Sequence, residues 1–247
     1  ACAPIRSGAI VVGAICAISE QPDHTFDETD LELLEELGHV AAAAIEREGR
    51  RDHFDHTVQA HVDALAAAVD MRDRRTASHS EDVVRLACEV GEILDLEMAA
   101  LVELEFAARL HDVGKIRVPD AVLNKPGPLD ADESRLIRNH AAWGAETLEQ
   151  IPGLEVVSTL VRFHHERWDG RGYPDGLEGP RIPLASRIIA VCDSYAAMIC
   201  DRPYRDAMDP RDAISELRRG AGKQFDPEVV NAVLSVLDGV EDPAPSP

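Results

Sequence analysis

No apolar run in this sequence reaches the ~20 residues that a bilayer-spanning helix needs, and no basic segment leading into an apolar core opens it. Positive charge is also scarce. Lys and Arg number 25 against 46 Asp and Glu, a formal net charge of -21. Such a surface repels nucleic acid and anionic membranes, so contact with neither is expected. A phosphate-bearing ligand would have to be met locally, by metal ions or clustered arginines. The five cysteines (Cys2, Cys16, Cys88, Cys192 and Cys200) are odd in number and never spaced CxxC. They read as buried, reduced thiols in a cytoplasmic protein. The chain also opens without methionine, in "ACAPIRSGAIVVGAICAIS", as a fragment cut from a longer protein would.

What is present is a globular composition, 45% apolar over 247 residues, enough for one domain with a sizeable core and a smaller piece. Residues 8–18, "GAIVVGAICAI", are β-branched and apolar and predict a buried strand. "TFDETDLELLEEL" starts a helix that Asp27 can cap. No proline interrupts the following stretch. One long helix, or two joined near Gly49, is expected from about Glu28 to Asp73. Phe54, Val58, Val62, Leu65 and Val69 form an apolar stripe along it that could pair with a second copy in a dimer.

Beyond it the pattern is helical throughout, with candidates at Glu81–Leu94, Glu97–Val113, Asp132–Gln150, Leu154–His165, Ala185–Cys200, Pro210–Gly220 and Pro227–Leu237. Leu86, Val90 and Ile93 predict one buried face, and Val102, Phe106 and Leu110 another. Asp130 and Glu133 have capping-box spacing. The tail at 241–247 is expected to fray.

Five of the ten histidines fall into a set with metal-ligand character. His79 opens a helix in "TASHSEDV". His111 and Asp112 sit together in "RLHDVGKI", about 100° apart on a helix, so that the carboxylate could bridge two ions. His140 lies in "IRNHAAWG". His164 and His165 stand side by side in "FHHERWDGRGYPDGLEG", where a glycine-rich polar loop follows paired imidazoles. A packed core gains nothing from that arrangement, whereas a metal site with an open side does. Asp193 lies in the apolar helix "VCDSYAAM". Imidazole with carboxylate suits borderline first-row metals. The remaining histidines (His24, His39, His53, His56 and His61) read as solvated or hydrogen-bonded side chains.

These segments, with "NKPGPL", "IPLASRIIAVCDSYAAM", "DRPYR" and "AGKQFDPEVV", resemble the HD-GYP family of cyclic-di-GMP phosphodiesterases over about residues 55–238. Gly172-Tyr173-Pro174 is the triplet for which that family is named. Residues 1–48 resemble the C-terminal end of a GAF sensor domain. The resemblance implies a mainly α fold. A helical HD-domain bundle of HD-GYP type would occupy 49–240, a small α/β GAF-like remnant 1–48, and a long helix would connect them. It implies two divalent ions, iron first and manganese second. His79, His111, Asp112 and Asp193 would hold one ion. Asp112 as the bridge would hold the other with His140, His164 and His165. A hydroxide shared by the ions would cut cyclic-di-GMP to pGpG or GMP.

Lys115 would stabilise charge at the scissile phosphate, Arg202 and Arg205 would grip the other phosphate, and Tyr173 would line the substrate site. The GYP loop has been linked to GGDEF-type cyclase partners. The chain departs from the family pattern at Arg75, where some members carry a carboxylate for a third ion, at Ala141, where proline is usual, and at Ala196, where aspartate is usual. A non-hydrolytic nucleotide- or cyclase-binding module, and an HD phosphohydrolase acting on another nucleotide such as cyclic GMP-AMP, are the competing readings.

Overall fold

The computed structural model describes residues 1–7, 10–18, 26–71, 77–200 and 207–240. The chain divides into two compact units, Ala1–Ala60 and His61–Pro247. Arg75, Asp73, Arg202, Arg205 and the tail at 241–247 lie outside the described residues, as does the side chain of His79.

In the first unit β1 (Cys2–Ser7) and β2 (Ile10–Cys16) form an antiparallel ribbon, with Cys2 opposite Cys16 and a bulge between Ile5 and Arg6. β1 is not foreseen from the sequence, because "CAPIRS" contains a proline and little alternation. β2 is found where a strand is expected, but it is not buried. Val11, Ala14 and Cys16 are exposed, since a two-stranded ribbon has too little partner surface to cover both faces. The expectation of reduced thiols is corrected here for two positions: Cys2 and Cys16 are joined by a disulfide across the ribbon. Facing strand positions bring their Cα atoms to 4.1 Å, which the linear spacing of 14 residues does not reveal. Cys88, Cys192 and Cys200 are free.

Helix α1 runs from Glu28 to Asp70 without a break at Gly49. Asp27 and Asp30 each accept the other's backbone N–H at 3.0 Å, a reciprocal cap that starts the helix. Gly38 lets α1 approach the ribbon, since a Cβ there would lie 3.2 Å from the Pro4 carbonyl oxygen. Of the apolar stripe, Val58, Val62 and Val69 are buried within the chain itself.

The second unit is wholly helical among the described residues: α2 (Ala77–Ile93), α3 (Met98–Leu110), α4 (Asp120–Leu123), α5 (Ala131–Arg138), α6 (His140–Leu148), α7 (Glu155–Phe163), α8 (Leu184–Ile199), α9 (Pro210–Gly220) and α10 (Pro227–Val240). α8 is central. Its Ile188, Ile189, Val191 and Cys192 are fully buried, against α2, α3, α7, α9 and α10. Leu86 and Val90 of α2 are buried as expected, but Ile93 is exposed, because the chain leaves the helix there and turns through Asp95 at φ 55°. On α3 the buried side chains are Leu104, Ala107, Ala108 and Leu110, while Val102 is exposed. Val102 lies about 200° around the helix from Leu104, and the two alanines, weak apolar signals, mark the face that packs closely.

Two expected helices end early. Glu97–Val113 stops at Leu110 and passes into a 3-10 turn at Val113–Arg117. Asp132–Gln150 divides at Asn139 into α5 and α6. The capping box of Asp130 and Glu133 forms as its spacing predicts. No helix is long and apolar enough to cross a membrane, among the described residues.

Candidate metal centre

Three helix ends supply the histidines. His111 follows α3, His140 follows the break after α5, and His164 follows α7. Each points its Nδ1 at the carbonyl three residues back. His111 reaches Ala108 at 2.7 Å, His140 reaches Ile137 at 2.7 Å, and His164 reaches Val161 at 2.6 Å. A carbonyl only accepts, so Nδ1 carries the proton and the lone pair of a neutral ring lies on Nε2. Those Nε2 atoms face one another across the site, His140 to His164 at 3.3 Å. Ligand atoms of His140, His164 and His165 all lie within 4.8 Å of each other.

Asp112 stands between two groups of imidazoles. Its Oδ1 is 3.4 Å from His140 Nε2, and its Oδ2 is 3.4 Å from His111 Nε2. His111 Nε2 also faces Asp193 Oδ1 at 3.7 Å. Asp112 lies in the turn and not on the helix, with φ −94° and ψ 3°, so the expected 100° relation to His111 is replaced by a sharper one. Lys115 is buried and its Nζ sits 2.5 Å from Asp112 Oδ2. It belongs to the 3-10 turn Val113–Arg117.

Gly114 makes this closeness possible. A Cβ there would overlap the His140 carbonyl and come within 2.5 Å of the Gly144 nitrogen, so only glycine lets the turn press against the start of α6.

The electrostatics divide the imidazoles. Burial alone would lower the His111 pKa, but the carboxylates of Asp112 and Asp193 raise it to about 9. Positive charge is therefore favoured between those two acids. Burial lowers His140 and holds His164 well down, and burial with the nearby His140 takes His165 to about 3. These three rings stay neutral and available as ligands. His111 Nε2 is buried without a hydrogen-bond partner. A buried polar atom left so, aimed at two carboxylates, fits a cation between them. The donor set is imidazole and carboxylate without thiolate, which suits octahedral first-row ions.

The glycine-rich loop is bound to the centre by its own side chains. Glu166 is buried and accepts three successive backbone N–H groups, from Asp175 at 2.7 Å, Gly176 at 2.9 Å and Leu177 at 3.1 Å. Gly170 and Gly176 take φ of +71° and +69°, and a Cβ on Gly172 would collide with the Glu166 backbone. Tyr173 lies against His165, with ring centroids 4.9 Å apart, and the Arg138 guanidinium stands 5.5 Å from the Tyr173 ring centre. Trp168 ties the loop down, its backbone N–H donating to the Gln224 carbonyl at 3.2 Å and its ring lying beneath the Arg187 guanidinium.

The structure thus brings together His111, Asp112, His140, His164, His165 and Asp193, with Lys115 and Tyr173 beside them. His79 is in the first turn of α2, its side chain outside those described, and Arg202 and Arg205 are outside altogether. Ala196, one turn beyond Asp193, is buried and offers no carboxylate. Gly114, Glu166 and Arg138 are not singled out by sequence reasoning. For Glu166 a signal existed, an acid immediately after paired histidines.

A family model described as HD domain matches residues 63–229, and one described as GAF domain matches residues 1–45. The cyclic di-GMP phosphodiesterase of Thermotoga maritima is 38% identical over 183 residues, 73% of this chain and 50% of that protein. The cyclic di-GMP phosphodiesterase response regulator RpfG of Xanthomonas campestris is 42% identical over 172 residues, 69% of this chain and 46% of that protein. The crystal structure of a cyclic GMP-AMP specific phosphodiesterase of Vibrio cholerae superposes with TM-score 0.58 at 21% identity, covering 72% of this chain and 48% of that chain. The chain spans about half the length of the curated relatives it matches.

Proposed function

The chain belongs to the HD domain family, and on that premise we propose that it is a metal-dependent phosphodiesterase of HD-GYP type that hydrolyses cyclic di-GMP to pGpG or onward to GMP. The observation that carries the reading is the setting of Asp112, one oxygen turned to His140 and the other to His111. In this reading His79, His111, Asp112 and Asp193 hold one divalent ion, and Asp112, His140, His164 and His165 hold a second. Iron is the first choice and manganese the second. Bound ions of this kind activate water at neutral pH and offset phosphoryl charge.

The chain's own groups have separate tasks. The Nδ1 anchors fix each imidazole's tautomer and direction. Lys115 orients the Asp112 carboxylate and offers its ammonium to the phosphoryl or leaving oxygen. Tyr173 lines the substrate side of His165. Arg202 and Arg205 grip the second phosphate, because a chain of net charge -21 needs local cations to hold a dianion. A cytoplasmic setting, a homodimer through α1, and a GGDEF-type cyclase docking at the GYP loop belong to the same proposal.

The test is anaerobic purification, metal analysis, and chromatography of products from cyclic di-GMP. Metal-dependent appearance of pGpG or GMP is expected. Binding without cleavage by metal-loaded protein would favour a non-hydrolytic module instead. Faster turnover of 3'3'-cyclic GMP-AMP in the same assay would reassign the substrate, an outcome in keeping with the name of the Vibrio cholerae protein of similar fold.

A further inference from the structure

Arg138 is the last residue of α5, two positions before His140. Three nearby arginines pair with acids. Arg135 pairs with Asp132, Arg162 with Asp175 at 2.7 Å, and Arg167 with Asp169 at 2.8 Å. Arg138 has no carboxylate partner among the described residues. Its guanidinium lies instead by the Tyr173 ring, which in turn lies against His165 of the candidate metal centre.

In a chain with 46 acidic residues, a cation left beside a centre that is itself to hold cations needs a reason. Once the centre holds its ions the like charges repel, and an anion shared between them offsets that cost. The side chain is exposed, so its N–H donors are open to a ligand, while the aromatic ring restrains the guanidinium.

We propose that Arg138 is a substrate-binding residue. Beside Tyr173 it takes an anionic phosphodiester oxygen of the cyclic dinucleotide. The inference rests on the phosphodiesterase reading above. Arg138 binds charge, is not a ligand of the ions, and transfers no proton.

The test is steady-state kinetics on metal-loaded protein with cyclic di-GMP over a series of potassium chloride concentrations, comparing wild type, Arg138→Met and Arg138→Lys. Methionine keeps the apolar stem against Tyr173 and removes the charge. The expected result is a rise in KM of about tenfold, the worth of one charge-assisted contact, with a much smaller change in kcat. The rise of KM with salt should be shallower in Arg138→Met and recovered in Arg138→Lys, because screening acts on the charged contact. An unchanged KM would overturn the proposal. So would a fall in kcat together with loss of bound metal, which would make Arg138 a prop for the loop. A raised KM with an unaltered salt dependence would indicate a neutral contact to the base, and would overturn the assignment to phosphate. A wild-type protein that cleaves no cyclic dinucleotide would defeat the underlying reading first, and that result is distinct from all of these.

Discussion

Replacing Asp112 with alanine removes both the oxygen facing His111 and the oxygen facing His140, each at 3.4 Å. Hydrolysis should vanish and bound metal should fall steeply, as metal analysis beside product chromatography would show. A variant that kept its metal would exclude Asp112 as a bridge. Lys115→Met should act differently, lowering turnover by ~100-fold or more while metal content stays near wild type, since an ammonium serves charge and not ligation. The metal-free protein should also carry a signature in acid. His165, held neutral to about 3 by burial, binds a proton in the unfolded chain near 6.5 and not in the folded one. That part of the stability is complete above about pH 6.5 and is lost as pH falls toward 3. Urea midpoints should therefore drop over this range, and His165→Gln should flatten the slope. Six of the residues gathered at the candidate centre, His111, Asp112, His140, His164, His165 and Asp193, are legible in the sequence because imidazoles and carboxylates are rare inside cores and their motifs are contiguous. Arg138 and Glu166 are not. An exposed arginine in an acidic helix resembles any surface ion-pair partner. Glu166's three partners lie nine to eleven residues ahead, in a loop whose path local pattern does not show.

At the scale of elements, the docking of the 3-10 turn on α6 depends on a missing side chain. Gly114→Ala would force a methyl into the His140 carbonyl and the Gly144 nitrogen. Overpacking of this kind costs about 1–3 kcal/mol. It also pushes Asp112 away from His140, so a lower melting temperature and reduced metal binding should appear together. Glu166→Ala should free the Asp175, Gly176 and Leu177 amides, and hydrogen exchange there should rise while the amides of α8 stay protected. The helices were readable from their period, but two of their ends were not. The break at Asn139 contains no glycine or proline. Asn139 itself has helical angles (φ −65°, ψ −13°), so nothing local announces that α6 starts a new direction. The ribbon was half legible: β2 has a strand's composition, whereas β1 and the Cys2–Cys16 link depend on pairing between strands.

At the scale of the molecule, α1 passes without interruption through the boundary between the two compact units. We propose that the working division lies near residue 48, ahead of the boundary that follows Ala60, with the HD domain beyond it. A chain of residues 49–247 should then keep metal and cleave cyclic di-GMP. Loss of folding in circular dichroism would show that the catalytic unit requires the first unit. The mainly α architecture was legible as a whole, since long stretches without proline and with 3.6-residue period admit little else.

The helix ends that deliver His111, His140 and His164 have a consequence for the order of binding. The carboxyl-terminal end of a helix carries a partial negative charge of about half an electron from its aligned peptide dipoles. α3 and α7 present that end to the same small volume, together with Asp112 and Asp193, whereas at His140 the end of α5 meets the start of α6 and the two dipoles largely cancel. In the metal-free chain the Lys115 ammonium and the proton on His111 offset those two carboxylates, so the helix ends leave a slight excess of negative charge. It draws divalent cations in and repels a dianionic nucleotide. Cation loading should therefore be obligatory before substrate, and isothermal titration of cyclic di-GMP into chelator-stripped protein should register little heat until manganese is restored.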